Sequence, residues 1–526
     1  MAETIVSAVI GDAVSRVISL LTGRFSHQQS TEAKLRRICH MLVRIHSAVE
    51  EAKARQIIND GVLQWLSELI DGEYQGRYLL DMISCGDRKE LDEDKDSYAK
   101  QVPLPQPQAS SMSLFNPAKR MRVAAGAMKK VLSRCDLIGA ADEVDRVLES
   151  LQGVSGDLGE FILLLQGFNP IGRPLPTNIF IDGQMFGRHV EKQRIINFLL
   201  HNNEGRSPGG LDVLPIVGAI GVGKTTLVQH SCDDDRVRRH FSVIMFFNFS
   251  CTYAIAATRE TGTAVAIRSK HVIGDAQLSL NDPLQWIKRN CHDKRFLVVF
   301  EGVDMCRKQK LQELLLKLRC AEQGSKVIFT TNNRRVSTLG TVEPIVLKVL
   351  PIPEYWFFFK AHAFAGRDLE ENPRLVRAGK AIARKLNGSF FGAKIVGGLL
   401  KDHPDPRFWF KVLRSNIGGL SMLGDGMGYI ADLSENLLPN HVNVCQVNIS
   451  KVPFASQIEL PRFQDLCEPH ASETSLADNV SFARVLLCKS VMPFYNNYYI
   501  ASCTIGSGNI CCERAMVSSS FLLDDL

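Results

Sequence analysis

Apolar residues recur at helical spacing through the first third of the chain. Ile5, Val6, Val9, Ile10, Val14, Val17, Ile18 and Leu21 make one broad apolar face. Leu35, Ile38, Leu42, Ile45 and Val49 then alternate steps of three and four, a coiled-coil-like seam with Lys34, Arg37, Arg44 and Glu50 outside it. Leu63, Leu66, Ile70 and Tyr74 mark a third helix. Val131, Cys135 and Ile138, then Val144, Leu148 and Leu151, mark a last helix or pair. Between them, Val102 to Ser113 is rich in Pro, Gln and Ser and reads as a flexible loop. Such stripes must be buried together, and a four-helix bundle over residues 1–160 is the simplest solution. It reads as a helical interaction module or as an ordinary helical domain; periodicity does not separate the two.

From Asn169 to Asn178 the chain turns Pro- and Gly-rich, which predicts a linker over 161–180. Beyond it, short and nearly continuous apolar runs alternate with helical segments. Strands are predicted at 213–217, 241–249, 296–300, 326–330 and 345–350. Runs of this kind suit a parallel sheet buried on both faces, hence a doubly wound α/β domain over 181–350. Helical spacing returns from Trp356 to about Ser415, giving a helical subdomain over 351–417. Residues 418–526 mix Asn, Ser and Cys among short apolar runs and read as an irregular tail with no assigned fold. The predicted class is multidomain, α followed by α/β.

Composition narrows this picture. At 526 residues, roughly three domains are expected. A net charge of +6 is too mild to argue DNA binding. The 14 cysteines include no CxxC pair, which favours reduced thiols inside a cell. Cys488, Cys503, Cys511 and Cys512 match no zinc spacing and read as ordinary thiols. No basic region precedes the first apolar stretch, and Asp12 and Arg16 interrupt it, so neither a secretory signal nor a transmembrane span is expected. Lys119, Arg120, Arg122, Lys129, Lys130 and Arg134 form a basic run. One reading is a nuclear address or a patch for an anionic partner; the commoner one is a solvated helix face.

One motif carries chemistry. Gly218 to Thr225 reads GAIGVGKT, a complete GxxxxGK[ST] phosphate loop that follows a predicted strand. Gly218, Gly221 and Gly223 are expected to free the backbone for positive φ, so that amide N–H groups point inward at phosphate oxygens. The helix that follows, expected from Thr225, adds its positive end. Lys224 reaches the β- and γ-phosphates and Thr225 offers a hydroxyl to Mg²⁺. A nucleoside phosphate, ADP or ATP, is the expected ligand, held by Gly218, Gly221, Val222, Gly223, Lys224, Thr225 and Thr226.

The order of motifs resembles plant intracellular immune receptors of the coiled-coil NB-ARC class, with an Rx-type N-terminal domain. Met185-Phe186-Gly187-Arg188 is similar to the motif that opens their nucleotide-binding domain. His240-Phe241 leads into the second strand. Lys294-Arg295-Phe296-Leu297-Val298-Val299-Phe300-Glu301 occupies the Walker B position. Gly324 to Thr331 resembles the GSKhhhTTR stretch. Glu354-Tyr355-Trp356 with Phe359-Lys360-Ala361-His362-Ala363-Phe364 resembles the start of the helical subdomain, and Lys394 to Leu400 its later helix. Trp65-Leu66 and Tyr78-Leu79-Leu80-Asp81 resemble the third helix of the N-terminal domain. The resemblance implies ADP/ATP as ligand with Phe186, Gly187 and Arg188 beside it, and Mg²⁺ held by Thr225 and Glu301. It also implies plant defence, protein partners engaged through the bundle, self-association as an option, and a cytoplasmic location, with nucleus and membrane periphery as alternatives.

The departures from that family bear on mechanism. Its Walker B ends in two aspartates, one for Mg²⁺ and one for the attacking water; here Glu301 and Gly302 stand there. Asp304 is the candidate substitute base, so Glu301 and Asp304 are the candidate catalytic pair. The γ-phosphate-sensing arginine is replaced by Asn332, with Arg334 and Arg335 nearby. The proline that lies by the adenine is replaced by Phe390 in Gly388-Ser389-Phe390-Phe391-Gly392. No MHD sequence and no leucine-rich repeats are found. These features predict a nucleotide-bound switch, or a regulator or decoy of full-length receptors, with weak or lost hydrolysis. The alternative is a competent ATPase that uses Glu301 and Asp304.

Overall fold

The computed structural model describes residues 28–84, 138–171, 185–201, 211–248, 253–258, 264–268, 295–318, 324–364, 372–415, 417, 442–453, 460–462 and 481–505. The predicted helix at 5–21, the loop at 102–113, the basic run, Cys511 and Cys512 lie outside these residues.

The N-terminal helices are α1 (Gln28–Lys53), α2 (Asp60–Ser84), α3 (Ile138–Ser155) and α4 (Leu158–Gln166). The predicted seam is their core. Leu35, Ile38, Leu42, Ile45 and Val49 are buried against Leu63, Leu66 and Leu69 of α2 and Val144, Leu148 and Leu151 of α3. Asn59 starts α2 by accepting from the Val62 N–H at 3.1 Å. Gly76 lets α1 approach closely, since a Cβ there would lie 2.6 Å from Leu42 Cδ2. Helix α4 crosses the expected boundary at 160, and its Phe161 and Leu165 belong to the bundle core. The first part of the expected linker is likewise anchored. Arg55 donates to the carbonyls of Leu165 and Phe168 at the end of α4, and the Ile171 N–H donates to Ala54 at 2.8 Å.

The central sheet has seven strands in the order β4-β3-β2-β5-β6-β1-β7. Five are parallel: β1 (Asp212–Gly218), β2 (Val243–Asn248), β5 (Phe296–Glu301), β6 (Lys326–Thr331) and β7 (Ile345–Leu347). These are the five predicted strands. Every residue of β5 and β6 is buried, as their unbroken apolar runs require. The antiparallel hairpin β3 (Tyr253–Thr258) and β4 (Ala264–Arg268) extends one edge, an addition not foreseen in the sequence. Pro215 sits inside β1, where a missing N–H would normally break a ladder. It is tolerated because β7 pairs only with Ile216 to Gly218. Before that point Gly340 packs on the ring, at a distance where a Cβ would lie 2.2 Å from Pro215 Cγ. Helices α5 (His189–Leu200), α6 (Lys224–Cys232), α7 (Asp235–His240) and α8 (Lys308–Leu318) accompany the sheet.

The helical subdomain comprises α9 (Ile352–Phe364), α10 (Pro373–Lys385), α11 (Phe390–Asp402) and α12 (Pro406–Arg414). Its core is aromatic, with Trp356, Phe359, Phe364 and Trp409 buried together. A polar cluster at Asp81 joins it to the bundle, beside an Arg384–Tyr78 hydrogen bond at 3.1 Å and a Tyr74–Phe357 ring contact. Asp81 on α2 accepts from Trp356 Nε1 at 2.8 Å and from Lys360, and pairs with Lys380 at 3.6 Å. Burial alone would raise the Asp81 carboxyl; Lys360 and Lys380 outweigh it and hold it below its ordinary value.

Residues 418–526, expected as an irregular tail, contain a second sheet. Strands β8 (Val442–Pro453), β9 (Ser481–Ser490) and β10 (Tyr495–Ile505) pair antiparallel in the order β8-β10-β9. Val485 and Leu487 of β9 and Ala501 and Cys503 of β10 join the core of the helical subdomain. Cys503 is thus a buried apolar contact, and burial pushes the Cys488 thiol up to about 12. The short β9–β10 turn faces the nucleotide-binding domain.

Candidate nucleotide site

The phosphate loop lies between the end of β1 and the start of α6. Gly221 and Gly223 take φ of +78° and +88°, conformations that a side chain would strain. Gly218 is not in that region, contrary to expectation. Its role is close approach: a Cβ there would lie 2.8 Å from the Leu347 carbonyl of the neighbouring strand. Helix α6 starts at Lys224, one residue earlier than predicted, with Gly223 as its N-cap. The Lys224 ammonium folds back onto the loop and donates to the Gly218 and Ala219 carbonyls, each at 2.8 Å. Burial pulls its pKa down to about 8. Val222 contributes a side chain to the hydrophobic core, so its part toward a ligand is confined to its backbone.

The other predicted ligand-side residues converge around the end of β7. Arg188, itself at φ +59°, donates to Glu191 at 2.9 Å and to the Lys348 carbonyl. Next to it, Gly388 packs so tightly that a Cβ would lie 2.8 Å from Val349 Cβ. Ser389 and Phe390 then cover the loop glycines: Cβ atoms at Gly221 and Gly223 would lie 3.0 Å from Ser389 Oγ and 3.4 Å from the Phe390 ring. Tyr355 holds this cover in place by donating to the Ser389 carbonyl at 2.7 Å. Phe186 and Gly187 are further from the loop. Phe186 is wedged between Tyr74 of the bundle and Phe358 of α9, and Gly187 abuts Glu354.

Phe390 explains a departure that the sequence only flags. It is the first residue of α11, capped by Ser389, whose Oγ accepts from the Gly392 N–H at 3.0 Å. Proline suits that position because its missing N–H is not needed there. Phenylalanine keeps the N–H, and here it donates to the Gly221 carbonyl at 3.1 Å. The helical subdomain is thereby bonded directly to the phosphate loop, by a contact proline could not make.

The Walker B end is arranged differently from the sequence expectation. Glu301 is only 2 % exposed, and its carboxylate accepts from the hydroxyl of Tyr495, the first residue of β10. The Asp304 carboxylate accepts from the Arg307 N–H at 2.9 Å and faces the Arg307 guanidinium at 3.7 Å, so it organises the turn into α8. Gly302, at φ +65°, donates its N–H to Thr330 Oγ1 at 3.0 Å. Asn332, Arg334 and Arg335 are exposed. Thr225 is half-buried at the start of α6. The Thr226 hydroxyl lies 3.6 Å from Met492 Sδ in the β9–β10 turn. The loop, with its inward-curled glycines and its lysine held over carbonyls, fits a phosphate group. A Thr225–Glu301 pair does not fit Mg²⁺ in this arrangement, because Tyr495 engages the carboxylate.

The parallel sheet, with a glycine loop leading from β1 into α6, defines a P-loop nucleoside-phosphate-binding domain. Residues 188–369 match the NB-ARC domain and residues 9–108 match the Rx N-terminal domain. The chain is accordingly an NB-ARC protein with an Rx-type N-terminal domain. It is 27 % identical over 482 residues to Disease resistance protein RGA2 of Solanum bulbocastanum, covering 89 % of this chain and 44 % of that protein. Putative disease resistance protein RGA1 of the same species is 26 % identical over 461 residues, 86 % of this chain and 42 % of the relative. Putative disease resistance RPP13-like protein 1 of Arabidopsis thaliana is 26 % identical over 451 residues, 83 % and 39 %. The chain spans less than half the length of these relatives. Among the described residues no helix is long and apolar enough to cross a membrane.

Proposed function

We propose that this protein binds ADP or ATP and acts in plant defence as a nucleotide-dependent switch, or as a regulator or decoy partner of longer receptors, through protein contacts of its N-terminal bundle. The observation that carries the binding is the loop itself: two glycines at positive φ, a helix start, and a lysine poised on the loop carbonyls. An incoming phosphate gives the Lys224 ammonium a charged partner in place of carbonyls, and charge-assisted contacts of this kind are worth ~1.5–3 kcal/mol each. Weak or absent hydrolysis is supported by the Walker B end. Glu301 is turned to Tyr495 and Asp304 to Arg307, so neither carboxylate is aimed at an attacking water. The names of the relatives support the defence role, with location in the cytoplasm or nucleus or at a membrane surface.

The test is nucleotide retention. The purified protein should carry ADP or ATP, and Lys224→Ala should lower the affinity roughly ten- to a hundredfold. Equal retention by parent and variant in a fluorescent-ADP titration would overturn the assignment.

A further inference from the structure

The β9–β10 turn, residues 490–495, meets the nucleotide-binding domain at the Walker B strand and at the helix that follows the phosphate loop. Tyr495 bonds the Walker B carboxylate of Glu301. Met492 faces the Thr226 hydroxyl, one residue beyond the loop's own Thr225. The Phe494 N–H donates to the Gln229 side chain at 3.2 Å, and Gln229 is fully buried on α6. The Phe494 ring lies 4.8 Å from Phe246 on β2 and under the Arg238 guanidinium at 5.1 Å. Met492, Phe494 and Tyr495 belong to the same buried cluster as Val222, Leu227 and Val228 of the phosphate-loop region. The turn is therefore built into the core and is not a loose surface contact.

We infer that the β9–β10 turn makes this pocket selective for nucleotide without Mg²⁺, with Tyr495 as the specificity-determining residue. The inference rests on the proposed nucleotide binding and adds which form of nucleotide is accepted. The logic is competitive. A Walker B carboxylate serves a metal ion directly or through water. Here the carboxylate is buried and its Oε1 is taken by a phenol. Metal contact through Oε1 requires breaking that bond and moving a fully buried Tyr495. Binding through the loop glycines and Lys224 requires neither, because the Lys224 ammonium is bonded to the Gly218 and Ala219 carbonyls and not to the Glu301–Tyr495 pair. ADP alone is thus admitted at little cost, while Mg²⁺·ATP must displace the turn.

The experiment measures affinities of fluorescent ADP and ATP, each with excess Mg²⁺ or with chelator, for the full chain and for two variants. Tyr495→Phe removes the hydroxyl and keeps the ring. Phe494→Ala loosens the turn and keeps the hydroxyl. Circular dichroism verifies that both fold. In the parent, Mg²⁺ should leave ADP affinity within about twofold and should not improve ATP binding. In both variants Mg²⁺ should tighten ATP roughly tenfold or more, the effect of freeing one charged hydrogen-bonding partner, with chelated ADP unchanged. Hydrogen exchange across 490–500 should rise when Mg²⁺·ATP binds the variants. A parent that responds to Mg²⁺ as the variants do, while Lys224→Ala still weakens binding roughly ten- to a hundredfold, overturns this inference alone. A parent that binds neither nucleotide overturns the underlying reading and this inference with it.

Discussion

Replacing Asp81 by Ala removes a buried carboxylate that links the N-terminal bundle to the helical subdomain. In the parent its carboxylate accepts from Trp356 Nε1 at 2.8 Å and from Lys360, and faces Lys380 at 3.6 Å. Lys360 and Lys380 are 13 % and 6 % exposed, so water cannot take over their charges. The variant removes the Asp81 carboxylate from two buried ammonium groups and from an indole N–H. Breaking a buried ion pair from one side costs about 3–5 kcal/mol, and the stranded indole adds to it without strict additivity. A destabilisation of about 3–5 kcal/mol follows. Trp356 is fully buried and bonded to Asp81, so tryptophan emission during urea denaturation includes a reporter at the contact. The pH dependence has a definite sign. The folded carboxyl is held below its ordinary 3.8, so its stabilisation is present above that value and is lost as pH falls through the folded pKa. The gap between parent and variant should therefore close on acidification below 3.8. Replacing all three partners, with Asp81→Leu, Lys360→Met and Lys380→Met, should recover most of the loss, since apolar replacement of a whole buried pair is often neutral. A single-variant loss under about 1 kcal/mol, or a gap unchanged in acid, would refute the reasoning.

Four further outcomes are expected. Lys224, with its pKa near 8 in the free protein, must be protonated to hold phosphate, so ADP affinity should be flat below pH 8 and weaken above it, up to about tenfold per unit; a titration series at rising pH checks this. Burial raises the Glu354 carboxyl from 4.5 to about 8, with Asp71 and Glu191 adding to the rise and Arg188 opposing it. Its contribution to stability is full below 4.5 and is lost as pH rises through about 8, so Glu354→Gln should flatten the decline across that window, as denaturation at both ends would show. Phe390→Pro should fold, because Ser389 already has ψ of 110° and the residue opens α11, but should raise hydrogen exchange in the phosphate loop by removing the bond to Gly221. Gly302→Asp has open space yet a left-handed backbone, costing about 1 kcal/mol, and should raise phosphate release above the Lys224→Ala background only when combined with Tyr495→Phe.

What was legible in the sequence was what is encoded locally. The phosphate loop is eight consecutive residues whose spacing carries its own geometry. The five parallel strands are unbroken apolar runs, and Leu35 to Val49 repeats every three and four residues, so burial on both faces or along one stripe is written into each segment. The β3–β4 hairpin carries a readable signal, Ile255 and then Val265 and Ile267 around Gly262, but a weaker one than the apolar strands on either side of it. The second sheet was harder. Its strands bury Val485, Leu487, Ala501 and Cys503 against helices more than a hundred residues earlier in places, and only the helices show what those positions meet. The Asp81 cluster and the Glu301–Tyr495 bond are long-range pairings of polar residues. Nothing in the local pattern marks an acid as the partner of a distant tyrosine.

The substitutions that looked like losses when taken one at a time are mutually accommodated in space. A pocket decaying without constraint would strand polar groups as partners changed, each at about 1–3 kcal/mol once buried. Here Glu301 is met by Tyr495, Asp304 by Arg307, and the N–H that Phe390 has and proline lacks by the Gly221 carbonyl. Two of these contacts also bind one part of the chain to another: the C-terminal sheet to the Walker B strand, and the helical subdomain to the phosphate loop. These pairings are what the proposed closed, nucleotide-holding pocket requires at the three positions.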